Sequence, residues 1–277
     1  MSEPITDEAA ADVGTVRVIL KDRKAQPFFG RHPWVFESAI DGVETPTGEE
    51  PAAGAKVELW SAGGQKFIAH GLWNSNSNIK VRLYSWDQSV GVTDQFLHNR
   101  IRDAIALRRR SFDLNATNVG CRLLFSEGDA LSGLTVDFYG GFLLVQFTSL
   151  AIYLRREAIA AALQAELSPR GIWLRTEKGM RDAEGLEAAD GLVTGEAPTR
   201  PLFIDEHGVQ FGVDVQEGQK TGCYLDQRDN RHAAAKYLDG RVLDAFCFAG
   251  GFGIAAAKQG RAAQVLGIDS SESALAL

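Results

Sequence analysis

Alternating apolar and polar positions dominate the first third of the chain. Val16-Arg17-Val18-Ile19-Leu20, Val57-Glu58-Leu59-Trp60, Lys66-Phe67-Ile68-Ala69 and Ile79-Lys80-Val81-Arg82-Leu83-Tyr84 each read as a strand. Gly63-Gly64 and the polar cluster Asn74 to Asn78 mark turns between them. Several short strands in about 70 residues predict a small β-barrel over 15–90. The period then lengthens. Thr93 can cap a helix from Asp94 to about Arg110, with Phe96, Ile101, Ala104, Ile105 and Leu107 on its apolar side, and 91–112 is expected to link two domains.

Beyond it, Arg122-Leu123-Leu124-Phe125, Leu134 to Phe138 and Phe142 to Phe147 predict strands, with a turn at Tyr139-Gly140-Gly141. A helix from about Ala151 to Glu166 and a strand Gly171 to Arg175 complete a small α+β domain over 113–195. Residues 181–200, charged and glycine-containing, read as a linker. Phe203-Ile204-Asp205 and Val209 to Val213 flank Glu206-His207-Gly208 as a hairpin. A helix from Asp226, a strand Val242 to Ala245, a helix Phe252 to Lys258 and a strand Gln264 to Ile268 then open a doubly wound α/β domain over 196–277. It is expected to be only the opening, because a parallel sheet covered on both faces normally takes ~100–150 residues.

Composition narrows the class. Of 277 residues, 45% are hydrophobic and 23% charged, which are ordinary globular values. No apolar run reaches the ~18 residues of a membrane span. The first 14 residues carry acids and alanines without apolar periodicity or a basic start, so a loose tail and a cytoplasmic protein are expected. Cys121, Cys223 and Cys247 lack metal-like spacing and predict reduced thiols, with no metal. A net charge of -7 opposes wholesale attraction to nucleic acid. Charge is nevertheless local: Arg17, Lys21, Arg23, Lys24 and Arg31 face Asp22 alone, and Arg100, Arg102, Arg108, Arg109 and Arg110 face Asp103 alone.

The chemistry concentrates near the end. Val242-Leu243-Asp244-Ala245 runs into Gly250-Gly251-Phe252-Gly253 and a helix, which is how a strand-to-helix turn opens room for a ligand. Asp269 follows about 20 residues later, where a carboxylate can accept from two ribose hydroxyls. The glycines do not keep the G-x-G-x-x-G spacing of a nicotinamide site. Asp244 can meet an ammonium, so S-adenosylmethionine is favoured over a pyrophosphate cofactor. Asp226 and Asp229 are expected to cap the preceding helix, and Arg228 and Arg231 share one of its faces and can fork onto a carboxylate.

Three stretches resemble the PUA-containing ribosomal RNA large-subunit methyltransferases that modify cytosine at carbon 5. These are Gly30-Arg31-His32-Pro33-Trp34-Val35-Phe36 with Gly71-Leu72-Trp73-Asn74; Glu127-Gly128-Asp129 through Val136-Asp137; and Lys220-Thr221-Gly222 through Arg231 with Asp244-Ala245-Phe246 and Ala249-Gly250-Gly251-Phe252. The resemblance covers roughly residues 15–277. It implies an N-terminal PUA-like barrel, a central α+β domain and an incomplete Rossmann-like methyltransferase domain. It also implies that Thr221, Tyr224, Asp226, Gln227, Arg228, Asp244, Phe246, Gly250 and Gly251 border S-adenosylmethionine, and that Asp269 holds its ribose. The family's Asp-Pro-Pro motif and cysteine nucleophile are expected beyond Leu277, so no catalytic residue is assigned.

With that resemblance, Lys21, Arg23, Lys24 and Arg31 become the candidate contacts for ribosomal RNA phosphates, while Trp34 is expected in the core. The expected activity is transfer of a methyl group to ribosomal RNA, at cytosine carbon 5. The alternatives are a non-catalytic RNA-binding protein or fragment, and a nicotinamide-dependent oxidoreductase. A homodimer remains open, and no membrane partner is expected.

Overall fold

The alternation in the first third builds a six-stranded sheet. In this computed structural model, residues 15–176, 178–216 and 222–277 are described, and the expected tail lies outside them. Strand β1 is Val16–Leu20, followed by a one-turn helix α1 (Gln26–Phe29), β2 (Trp34–Phe36), β3 (Ile40–Glu44), β4 (Lys56–Trp60), β5 (Phe67–Trp73) and β6 (Ile79–Ser85). The order is β2-β6-β5-β4-β1-β3, with β1 parallel to β4 and the other pairs antiparallel. Val18, Leu20, Val35, Val57, Leu59 and Val81 fill its core. Gly71 lets β5 approach β6, since a Cβ there would lie 2.5 Å from Val81 Cγ1 and 2.7 Å from the Arg82 carbonyl oxygen. The expected barrel-like unit is this one curled sheet, running from β2 at one end to β3 at the other.

Helix α2 (Asp94–Arg108) begins where Thr93 Oγ1 accepts from the Phe96 N–H at 3.1 Å. It does more than link domains. Phe96, Leu97, Ile101 and Ile105 are buried in one core with the second sheet, whereas Leu107, expected on the apolar side, is exposed. That sheet contains β7 (Gly120–Phe125), β8 (Leu134–Tyr139), β9 (Phe142–Phe147) and, after α3 (Leu150–Tyr153) and α4 (Arg156–Leu167), β10 (Gly171–Arg175) parallel to β9. The single helix expected over 151–166 is thus two. At the break, Arg155 donates to the carbonyls of Ala151 and Gly54.

The stretch read as a linker is structural. Helix α5 (Lys178–Glu184) leads to β11 (Gly191–Gly195), which pairs antiparallel with β10 and completes the order β11-β10-β9-β8-β7. Glu184 is buried and forms an ion pair at 3.1 Å with Arg82 of β6. Its oxygens also accept from Ser77 Oγ at 2.7 Å, Asn74 Nδ2 at 3.0 Å and the Leu150 N–H at 3.3 Å. Arg82 donates as well to Ser132 Oγ, and the Tyr84 hydroxyl donates to the Ser132 carbonyl. Trp34, expected in the core, instead donates through Nε1 to Glu127 at 2.8 Å, across the same junction.

The last unit starts with the hairpin β12 (Leu202–Glu206) and β13 (Val209–Val213), whose Ile204, Phe211 and Val213 pack on Tyr139 and Leu144 of the central sheet. Helix α6 (Arg228–Ala235), β14 (Asp239–Ala245), α7 (Gly251–Gln259), β15 (Arg261–Ile268) and α8 (Glu272–Leu275) follow, with β14 parallel to β15. No described helix is long and apolar enough to cross a membrane.

Breaking a buried pair strands the surviving charge and costs roughly 3–5 kcal/mol. Glu184→Ala is therefore expected to lower stability by about 3 kcal/mol in urea denaturation, whereas the exposed Glu187→Ala stays within about 0.5 kcal/mol. Equal, small losses would mean that 181–200 behaves as a linker after all.

Candidate cofactor site

The parallel pair β14 and β15 delivers two carboxylates to one turn. Asp244, the next-to-last residue of β14, accepts the Gly253 N–H on Oδ2 at 2.8 Å and so caps the start of α7. Asp269, just past β15, accepts the Phe248 N–H on Oδ2 at 2.7 Å and the Ser271 N–H on Oδ1 at 2.9 Å. These backbone donors hold the Asp269 carboxyl below its ordinary value of 3.8, the Ser271 N–H being the larger cause and the Phe248 N–H next. A depressed value means that the bracing is fully present above 3.8 and is lost as pH falls through the lower, folded value. A carboxylate offers about four acceptor sites, so two bonds leave Asp269 capacity for ligand hydroxyls.

The chain between the carboxylates is bent through unusual conformations. Gly250 has φ 71°, as a glycine readily does, but Phe246 at 61° and Phe248 at 52° also occupy the left-handed region. That region is sparsely populated for bulky side chains and collects at ligand sites. The Phe248 ring meets Tyr224 edge-on at 5.7 Å, and Phe246 is 92% exposed. Between them opens a cavity of about 570 Å³. Gly251 lets α6 close its floor, since a Cβ there would lie 2.9 Å from Arg231 Cδ.

Of the residues expected around a cofactor, Tyr224, Gln227, Asp244, Phe246, Gly251 and Asp269 line this cavity. Gly250 caps α7 beside it. Thr221 lies outside the described residues. Asp226 and Arg228 are placed elsewhere: both line a second cleft against β7, because α6 starts at Arg228 and turns that end toward the central sheet. The expected aspartate cap is also absent, since Gln227 occupies the cap position without a side-chain bond. Arg231 does fork onto a carboxylate, but onto buried Glu206 of the hairpin at 2.8 and 2.6 Å. Sequence reasoning missed Phe248 and Ser270, which also line the cavity. Their only signal was position, one beside the glycine turn and one beside Asp269.

The expected RNA contacts Lys21, Arg23, Lys24 and Arg31 are all exposed on the first sheet's side of the molecule. Lys21 Nζ donates to the Ser38 carbonyl at 3.1 Å, and Arg23 and Arg31 have φ of 60° and 65°. Among the described residues no cluster of three or more metal-ligating side chains occurs.

Comparison with known proteins matches residues 18–86 to the PUA-like domain. Residues 129–276 match the S-adenosylmethionine-dependent methyltransferase family. Ribosomal RNA large subunit methyltransferase I of Aeromonas hydrophila is 40% identical over 247 residues, covering 88% of this chain and 60% of the relative. The Photobacterium profundum protein of the same name is 37% identical, covering 94% and 64%. The chain thus spans about three fifths of the length of these curated relatives. Among solved structures, a candidate SAM-dependent methyltransferase from Streptococcus mutans superposes with a TM-score of 0.75 at 20% identity, covering 94% of this chain and 65% of that one. SMU.776, solved with SAH, gives 0.74 at 21%, covering 94% and 64%. The solved structures share the fold, and the family match over residues 129–276 runs through the two-carboxylate turn described above: the chain belongs to the S-adenosylmethionine-dependent methyltransferase family.

Proposed function

We propose that this chain binds S-adenosylmethionine at the β14–α7 turn and serves methyl transfer to ribosomal RNA, with cytosine carbon 5 as acceptor. The observation that carries the reading is the pairing of Asp244 and Asp269 across one cavity. Asp269 retains acceptor capacity for ribose hydroxyls, and Asp244 puts negative charge at the start of α7. A helix N-terminus otherwise attracts phosphate, and a carboxylate already seated there repels a pyrophosphate. That favours a cationic ligand over a nicotinamide dinucleotide. When bound, the cofactor supplies an electrophilic methyl group on a sulfonium. The chain's own residues bind and orient it: Tyr224 and Phe248 form an aromatic wall, and the strained turn shapes the pocket around it. Large-subunit ribosomal RNA as substrate follows the names of the relatives.

Methylation at cytosine carbon 5 requires a thiolate that adds at carbon 6, followed by removal of the carbon 5 proton. Burial pushes the Cys121 thiol up to about 12 and the Cys223 thiol up to about 11, so both stay protonated near neutrality. Neither suits the nucleophile, and the catalytic group is not assigned to either.

Calorimetric titration with SAH tests the cofactor reading. The wild-type chain is expected to bind, and Asp269→Ala to bind about tenfold to a hundredfold more weakly, as expected for lost hydrogen bonds to a charged group. Arg228→Ala is expected to bind within about twofold of wild type. Unchanged binding by Asp269→Ala contradicts the assignment. Iodoacetamide labelling at pH 8, mapped by peptide mass, should modify Cys121 and Cys223 roughly tenfold to a hundredfold more slowly than a free cysteine. Rapid alkylation of either would reopen its candidacy.

A further inference from the structure

A second cleft adjoins the cofactor cavity. It is about 520 Å³, lies between β7 and the start of α6, and shares Cys223 as a wall with the first. We propose that this cleft seats an unpaired base of an RNA strand, with Phe125 as the stacking platform and Arg228 as the ligand of a neighbouring phosphate. The proposal rests on the RNA reading above and specifies where and how the strand is held.

Phe125 ends β7 and is 56% exposed, an unusual state for a phenylalanine with a packed core so close by. The Arg122 guanidinium lies 5.4 Å from the ring centroid. Arg122 is itself fixed by a fork onto fully buried Asp137, at 2.8 and 3.0 Å. Its charge is thereby matched, and what remains at the surface is a rigid pair of a planar cation and an aromatic ring. Unstacked bases bind on aromatic faces and guanidinium planes of this kind.

Arg228 supplies what Arg122 cannot. Its guanidinium sits 4.8 Å from the Phe112 ring centroid and donates to the Gly120 carbonyl, a neutral acceptor, and it makes no ion pair among the described residues. Its Nε is buried with no hydrogen-bond partner. The side chain therefore carries a charge with no ion-pair partner among the described residues, held by a ring and a carbonyl at the wall of the cleft. Such a group is suited to a phosphate oxygen. Asp226, exposed at the rim, offers an acceptor for an exocyclic amine or a 2′-hydroxyl. From Phe112 the surface continues to Arg109 and Arg110, the end of the arginine-rich run in α2, so the strand has a basic path away from the cleft.

The class of partner follows from this mixture. An acidic peptide would be served by the cations but has no use for an exposed ring braced by a guanidinium. A duplex hides its base faces, and the deep, narrow major groove of A-form RNA excludes side chains. An unpaired strand uses both features. The shared Cys223 wall places the seated nucleotide next to the cofactor cavity, as an RNA methyltransferase needs.

Fluorescence anisotropy with a fluorescein-labelled unpaired RNA of about 12 nucleotides and a blunt-ended duplex of the same length tests this. Phe125→Ala should weaken the unpaired RNA roughly tenfold, Phe125→Trp should bind it about as wild type does, and the duplex should bind more weakly and be indifferent to both. Arg110→Ala should lower the salt slope by about 0.7, one phosphate contact on a single strand. Irradiation of wild-type protein with a 4-thiouridine-containing RNA should cross-link Phe112, Phe125 or their sequence neighbours, a readout that needs no variant. Cross-links confined to 21–31, or binding by Phe125→Ala within about twofold of wild type, overturn the cleft while leaving the RNA reading intact. Equal displacement of the RNA by polyglutamate also overturns the cleft, in favour of an acidic protein partner. No RNA binding by wild type overturns both, and the SAH titration then stands alone.

Discussion

The buried pair of Arg82 and Glu184 is the constraint on which the arrangement of the molecule depends. Removing two charges from water costs several kcal/mol per ion even after relaxation, and mutual attraction offsets this only when the remaining bonding positions are filled. Here Glu184 receives Ser77, Asn74 and the Leu150 N–H besides Arg82, and Arg82 also reaches Ser132, its Nε alone being left without a bond among the described residues. These partners come from the first sheet, from the loop before β8, from the start of α3 and from α5. Satisfying this one ion pair therefore ties four separate segments together, and a change in the angle between the two sheets would leave a buried charge without partners.

That rigidity matters because the cofactor cavity and the second cleft are assembled from elements that do not share a sheet. The hairpin β12–β13 packs on the outer face of the central sheet and carries α6 with it through Glu206 and Arg231. The turn that leads into α6 then separates the two cavities, with Tyr224 and Gln227 facing one and Asp226 and Arg228 the other. The cofactor turn is held from the opposite side by Asp269, which braces Phe248 in a conformation the residue would not adopt alone. Two cavities, one carrying the paired carboxylates Asp244 and Asp269 and the other Arg122 and Arg228, thus meet at a single cysteine wall.

Much of the fold was legible in the sequence wherever a local pattern carried the information. β1, β4, the hairpin and the β14–α7–β15 unit follow directly from alternation, glycines and length. β2 and β3 were missed because one is three residues long and the other, Ile40-Asp41-Gly42-Val43-Glu44, is too polar to stand out. α5 and β11 were misread for a different reason. Their charges looked like solvent-facing charges, and nothing local reveals that Glu184 is buried against an arginine 102 positions away. The candidate site divides in the same way. Asp244 and Asp269 follow from spacing, whereas the separation of Arg228 from Gln227 depends on how the start of α6 is turned toward β7, which only tertiary packing decides.

Hydrogen–deuterium exchange with and without SAH tests most directly whether the β14–α7 turn is the ligand seat. New protection should appear in 244–253 and 269–271, where the Phe248 and Gly253 N–H groups are already tied to the two carboxylates, with no change in 120–125. Protection at 120–125 with none at the turn would place the cofactor in the other cavity and contradict the assignment.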